Sequence, residues 1–189
     1  MKRIAVLPAV FLLCAAASVH AQVTPSAFRG QLSLTAGAMG SVFQPDYAGG
    51  GLPQASPQRL FGAGFYVDLK ATRWIQLEGE ARWLRENSYI DITETNYLIG
   101  PRVPIHEFKR LGFTPYGKAL VGLGKMNFEY NQAYGRFTDV ALGGGVDLKL
   151  SKHFIVRPFD FEYQFWPNWV NNHTLKPYGA SAGIAYKIF

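Results

Sequence analysis

The chain has 189 residues, 48% of them hydrophobic and 15% aromatic, with 19 Lys and Arg against 13 Asp and Glu for a net charge of +6. That length suits a single domain, and a mild basic excess without any Lys/Arg run longer than two excludes a nucleic-acid-binding footprint. The one cysteine, Cys14, lies in the N-terminal apolar run, which leaves no thiol downstream for a disulfide, a redox pair or a cysteine zinc site.

Lys2 and Arg3 precede an apolar run from Ile4 to Ala17, and Val19-His20-Ala21 ends in a small residue suited to a signal peptidase. This predicts a secretory signal over residues 1–21, with the domain over 22–189. The run is interrupted by Pro8 and falls short of the roughly 20 residues that a retained helical anchor, the alternative, would need. Nothing after Ala21 is apolar for the length of a membrane helix. If the exported chain spans a membrane, it does so with strands.

Period-2 alternation marks those strands. From Arg29 to Phe43, Leu32, Leu34, Ala36 and Ala38 oppose Gln31, Ser33 and Thr35. From Leu60 to Ala71, Phe61, Phe65, Val67 and Leu69 oppose Gly62, Gly64, Asp68 and Lys70. Ile75 to Trp83 sets Leu77, Ala81 and Trp83 against Gln76, Glu78, Glu80 and Arg82. Thr93 to Val103 sets Tyr97, Ile99 and Val103 against Asn96, Gly100 and Arg102, and Phe113 to Gly124 sets Ala119, Val121 and Leu123 against Tyr116, Lys118 and Gly122. A sixth and a seventh strand lie within Thr138 to Trp166, where Asp139, Asp147 and Lys149, then Asp160 and Glu162, alternate with apolar and aromatic residues. The eighth is Leu175 to Phe189, with Tyr178, Ile184, Tyr186 and Ile188 against Gly179, Ser181 and Lys187. Eight such strands, with apolar faces toward lipid and charged faces enclosed, predict an all-β fold: an eight-stranded antiparallel up-and-down transmembrane barrel.

Connections alternate in length, short after strands two, four and six and longer after one and five, which places both termini at the short-turn, periplasmic end. Parity requires a three-residue turn near Thr72-Arg73 to keep each face on its own side. Arg157 shares parity with Phe159 and would meet lipid, unless a bulge at Pro158, which cannot donate to a ladder, swings it inward. Both readings stand at this point. Trp74, Trp83, Phe113, Trp166, Tyr178 and Tyr186 fall near strand ends, where interfacial girdles sit.

The inward set comprises Asp68, Lys70, Glu78, Glu80, Arg82, Arg102, Lys118, Asp147, Lys149, Asp160 and Glu162. Mixed signs in a confined interior pair and complete one another's hydrogen bonds, and an eight-stranded barrel is just wide enough for side chains to fill, so a plugged, salt-bridged lumen is expected. Glu78/Glu80 and Asp160/Glu162 are also acid–base candidates by type, but no nucleophile or lid accompanies them. The composition suggests no cofactor and no metal.

The run Gly143 to Ser151, its continuation from Arg157 to Tyr163, and Leu98-Ile99-Gly100-Pro101-Arg102 resemble the small outer-membrane β-barrel family, the OmpA-like and short porin-like barrels, over the whole exported chain. The resemblance implies a monomer in the outer membrane, with lipid, lipopolysaccharide and the barrel-insertion machinery as partners. Phe189 resembles the terminal aromatic that this machinery reads, although Lys187 stands where the family has an aromatic or apolar residue.

Some barrels of this size modify lipid A, and others are narrow diffusion pores. A deacylase-like site would resemble His-x-Ser-Asn, whereas His173 is followed by Thr174-Leu175-Lys176. A structural or surface-interaction role without catalysis is therefore the reading preferred. Tyr47, Phe128, Tyr130, Tyr134 and Trp169 are the loop aromatics available to a partner. Arg59, Arg85, Lys125, Arg136 and Lys176 near the rim suit either lipopolysaccharide phosphates or simple solvation.

Overall fold

A computed structural model describes residues 32–47, 59–72, 74–86, 92–108, 111–127, 134–169 and 173–189. The expected signal segment lies outside these residues, as do Phe128 and Tyr130. Eight strands, β1 (Ser33–Gln44), β2 (Leu60–Lys70), β3 (Gln76–Glu86), β4 (Thr93–Pro104), β5 (Phe113–Asn127), β6 (Tyr134–Lys149), β7 (Phe154–Phe165) and β8 (Tyr178–Lys187), run antiparallel in chain order, and β8 pairs back onto β1 to close the barrel. Closure satisfies every ladder without an open edge, which is what a sheet crossing lipid requires.

The faces divide by parity. Phe61, Phe65, Ile99, Leu123, Phe159 and Ile184 point outward and are all more than half exposed, while Asp68, Glu78, Arg82, Arg102 and Lys118 are buried inside. An apolar exterior around a charged interior is the inverse of a water-soluble sandwich and suits a hydrocarbon surround. Lys70 pairs with Gln76, and Ala71 and Ile75 are exposed on the outer face, while Arg73 of the expected three-residue turn lies outside the described residues. Thr72 Oγ1 accepts the backbone N–H groups of Trp74 and Ile75, closing that turn locally.

Several strands run further than the alternation predicts. β3 continues to Glu86, β5 to Asn127, and β6 begins at Tyr134 instead of Thr138. These extensions carry Arg85, Glu86, Lys125 and Arg136, polar on both faces, so the lipid-derived pattern stops before the hydrogen-bonded ladder does. β8 starts at Tyr178, with Leu175 held only by an isolated bridge to Trp166.

The ambiguity at Arg157 resolves inward. Val146 faces Phe159 while Leu148 faces Val156, and on the other side Arg157 faces Gly183 while Asp160 faces Ser181, so β7 carries one extra residue at this point. Pro158 and Phe159 both turn outward across the bulge, and Arg157 is fully buried. Proline has no N–H to lose there, which makes 157–159 the least costly place in β7 to break register.

Candidate functional site

Two regions concentrate chemistry: the charged interior and the outward rim at the loop end. The interior is built from six strands. Arg157 reaches Asp68 (2.9 Å, β2), Glu78 (3.1 Å, β3), Asp147 (3.1 Å, β6) and Asp160 (3.4 Å, β7). Arg102 of β4 binds Asp68 at 3.2 Å and Glu78 at 3.3 Å, donates to Gln76 at 2.8 Å, and pairs with Asp147. Lys118 of β5 stands among Glu78 (3.2 Å), Asp160 (2.9 Å), Glu162 (3.2 Å) and Glu80. Arg82 closes the group with Glu80 at 2.7 Å and Glu162 at 2.9 Å. Each guanidinium also lies over a ring: Arg102 on Tyr116 at 3.7 Å, Arg157 on Tyr66 at 3.9 Å and Arg82 on Phe43 at 4.6 Å. These contacts fill the flat faces that the hydrogen bonds leave free.

Glu78, Glu80 and Asp160 converge closely enough to suggest a metal site. The Lys118 ammonium already meets all three carboxylates, so a side-chain cation stands where an ion would. Small residues make this packing possible. A Cβ on Gly145 would fall 2.7 Å from the Tyr116 hydroxyl, which donates to Asp160, and one on Gly124 would fall 2.5 Å from the Trp166 ring.

Of the eleven inward charges expected from parity, nine enter this group and two do not. Lys149 is corrected: it stands half exposed at the turn end and pairs with Glu107 outside the interior. Its position beyond the bulge, at the last residue of β6, carries it past the enclosed section. Lys70, the last residue of β2, is half-buried and joins none of the interior ion pairs among the described residues. Arg157 is the member that parity alone missed, and Pro158 was the signal for it.

Nearer the loop end the interior changes character. Asn96 donates to Asp139 at 2.8 Å and to Gln164 at 3.3 Å, and Trp166 Nε1 donates to Gln164 at 3.0 Å. Glu94, which shares parity with Asn96, is fully buried beside them. Above lies an apolar cluster of Tyr47, Ile92, Met126, Trp166, Trp169 and Leu175. Trp166 is thus corrected from girdle to interior, since the even residues of β7 face inward above the bulge. Tyr47 and Trp169, expected as loop aromatics open to a partner, are buried against each other with ring centroids 6.1 Å apart. Burial, with the Glu94 and Glu86 carboxylates nearby, pushes the Tyr47 hydroxyl well above its ordinary range.

On the outer wall, Phe65, Trp83 and Tyr97 form an edge-to-face row with centroid spacings of 6.2 and 6.1 Å, and the Lys125 ammonium lies over Tyr97 at 5.4 Å. Arg59, Arg85, Arg136 and Lys176 are exposed around the same end, Arg85 and Arg136 on the outward faces of β3 and β6 and the other two just outside β2 and β8. Lys125 and Arg136 are direct cross-strand partners. At the chain's end, Phe189 is exposed, while its backbone carbonyl accepts the Leu34 N–H at 3.2 Å.

A closed eight-stranded barrel with an apolar exterior and a charged interior defines an integral outer-membrane barrel protein. The chain belongs to the outer membrane protein beta-barrel domain family, whose model matches residues 8–187. Its fold is similar to that of Neisserial surface protein A (TM-score 0.63, 9% identity, covering 82% of this chain and 96% of that one). It is also similar to the N-terminal barrel of Pseudomonas aeruginosa OprF (TM-score 0.57, 14% identity, 84% and 98%) and to Yersinia pestis Ail (0.52, 19%, 84% and 99%). A search of curated proteins by sequence gives no match.

Proposed function

We propose that this chain is a non-enzymatic outer-membrane barrel whose plugged lumen serves as a rigid scaffold and whose rim engages lipopolysaccharide. The observation that carries this reading is the division of its cations. Arg82, Arg102, Lys118 and Arg157 are committed to interior carboxylates, whereas Arg59, Arg85, Lys125, Arg136 and Lys176 project outward at the loop end. Lys125 and Arg136 are cross-strand neighbours of like charge, which concentrates positive potential on the outer wall at this end. A lipid phosphate would meet both through charge-assisted hydrogen bonds. Below it, Phe65 and Val67 on one side and Tyr97 and Ile99 on the other flank a shallow apolar groove floored by Gly79 and Ala81, which suits an acyl chain. Ail has been solved with the heparin analogue sucrose octasulfate, a polyanion.

The loop end is then extracellular and the termini periplasmic. His173 is exposed and is followed by Thr174-Leu175-Lys176, not by the x-Ser-Asn of a deacylase-like motif. Replacing the five rim cations with serine is expected to lower the lipopolysaccharide that copurifies with the folded barrel, measured as lipid A phosphate; an unchanged ratio would refute the contact. Mass spectrometry of lipid A should show the same acylation with and without the protein. Planar bilayers should show no steady conductance, and a current altered by substituting Arg82 or Lys118 would establish a pore instead. Deleting Phe189 should reduce insertion, read as loss of the heat-modifiable band.

A further inference from the structure

The carboxylates of the lower interior are met by cations, and those of the level above are not. Glu94 and Asp139 are fully buried, and Asn96 is 1% exposed. Because Asn96 Nδ2 is given to Asp139 and Gln164, the orientation of its amide is fixed and its carbonyl oxygen faces elsewhere. Four acceptors from three side chains make no hydrogen bond of good geometry: both oxygens of Glu94, Oδ1 of Asp139 and Oδ1 of Asn96, with the Asn96 amide near Glu94 and the Trp166 indole near Asp139 as the adjacent donors. Among the described residues none of the interior ion pairs reaches Glu94 or Asp139; the paired cations stop at the level of Glu80 and Glu162. Asp139, Asn96, Arg82, Glu162 and the Tyr47 hydroxyl are among the groups near Glu94, two of them carboxylates.

Buried carboxylate oxygens without well-placed donors are costly, and the cost is relieved by a positive charge placed among them. One level lower, Lys118 supplies that charge to Glu78, Glu80 and Asp160. At this level no lysine ammonium stands among the described residues, and the donor set of two carboxylates and one amide carbonyl is one that hard divalent cations take. We propose that Glu94, Asp139 and Asn96 form a binding site for such a cation, calcium in preference to magnesium, with water completing its shell. Magnesium holds its own waters tightly in a strict octahedron, whereas calcium accepts an irregular set of protein oxygens.

The test uses the full chain, extracted from outer membranes into detergent, washed with EDTA and shown to be folded by heat-modifiable migration. Terbium(III) chloride serves as the probe. Trp166, hydrogen-bonded to Gln164 of this cluster, sensitises its emission. We expect saturable emission, displaced by calcium chloride at lower concentration than by magnesium chloride and not by potassium chloride. Glu94→Gln and Asp139→Asn, which keep side-chain shape, should each weaken binding by at least about tenfold. Calcium should also raise the unfolding temperature of the native protein and leave that of the variants unmoved. Binding that is absent, that potassium displaces, or that both variants retain would overturn the proposal, the last result placing the ion on copurified lipopolysaccharide or surface carboxylates. If one variant fails to fold, the other and the calcium dependence of the native protein's stability decide the question.

Discussion

Below the level of Arg82 the lumen holds six carboxylates, Asp68, Glu78, Glu80, Asp147, Asp160 and Glu162, threaded by four cations, whereas above it Glu94 and Asp139 sit with amides under an aromatic cap. The same strands build both levels, so the difference lies in what each strand contributes at a given height. In the lower level every cation is shared by at least two carboxylates from different strands, and no strand can shift register without breaking pairs on both sides. The upper level is held by packing: Met126, Trp166 and Leu175 are almost wholly enclosed, with Phe137 laid against them. Charge pairing therefore specifies how the strands align in the lower half, and shape complementarity closes the upper half.

The largest test of this contrast is Arg157→Ala. It removes one partner from Asp68, Glu78, Asp147 and Asp160 at once and leaves buried carboxylates short of charge, a loss of about 3–5 kcal/mol. Urea unfolding in liposomes, followed by tryptophan fluorescence, measures it. Arg157→Lys should recover only part of that loss, because an ammonium lacks the planar fork that serves several strands together. Equal stability of Arg157→Ala and native protein would mean that the lower level is not organised by its ion pairs.

This division also explains what could be read from the sequence and what could not. Within the membrane, alternation reports burial directly: Asp68, Glu78, Glu80, Arg82, Arg102, Lys118, Asp160 and Glu162 could be placed inside from parity alone, and the closed eight-stranded barrel followed. Parity fails where the backbone leaves the regular ladder. Arg157 needed the bulge to face inward, whereas Trp166 shares the inward parity of Asp160 and Glu162 and was read as girdle only from its place at a strand end. Position at a strand end misleads as well, and parity fails also where the membrane ends. Lys149 has inward parity but no enclosing wall at its height, and Tyr47 and Trp169 lie in connections that carry no period. The acceptors of Glu94, Asp139 and Asn96 were visible as inward residues, but their lack of well-placed donors depends on which opposing strands meet them, a three-dimensional fact that no one-strand pattern contains.

A smaller effect is expected at the cap. Trp166→Ala removes an indole that is fully buried and stacked on Phe137 at 5.9 Å, and it leaves Gly124 facing a void. The expected loss is about 3 kcal/mol, at the low end for a buried tryptophan because the loop end lies close above. Hydrogen exchange separates this variant from Arg157→Ala. Faster exchange should be confined to the loop-end halves of β4 to β7, with the amides near Arg102 and Lys118 unchanged. Uniform loosening of the whole barrel would show that the two levels form one cooperative unit.

The smallest effect belongs to the pair that parity assigned to the interior and the fold places outside. Lys149 and Glu107 are each about half exposed, Lys149 at 50% and Glu107 at 45% by side chain, and water competes for both partners. Lys149→Ala should therefore change unfolding free energy by no more than about 1 kcal/mol, and added salt should erase even that. Set beside Arg157→Ala in the same titration, it is the internal control for enclosure: two basic residues eight positions apart in the chain, one ringed by four carboxylates in a closed lumen and one paired in the open. If the two variants lost comparable stability, burial would not be what gives the interior pairs their weight, and Lys149 would belong with the lumen network after all.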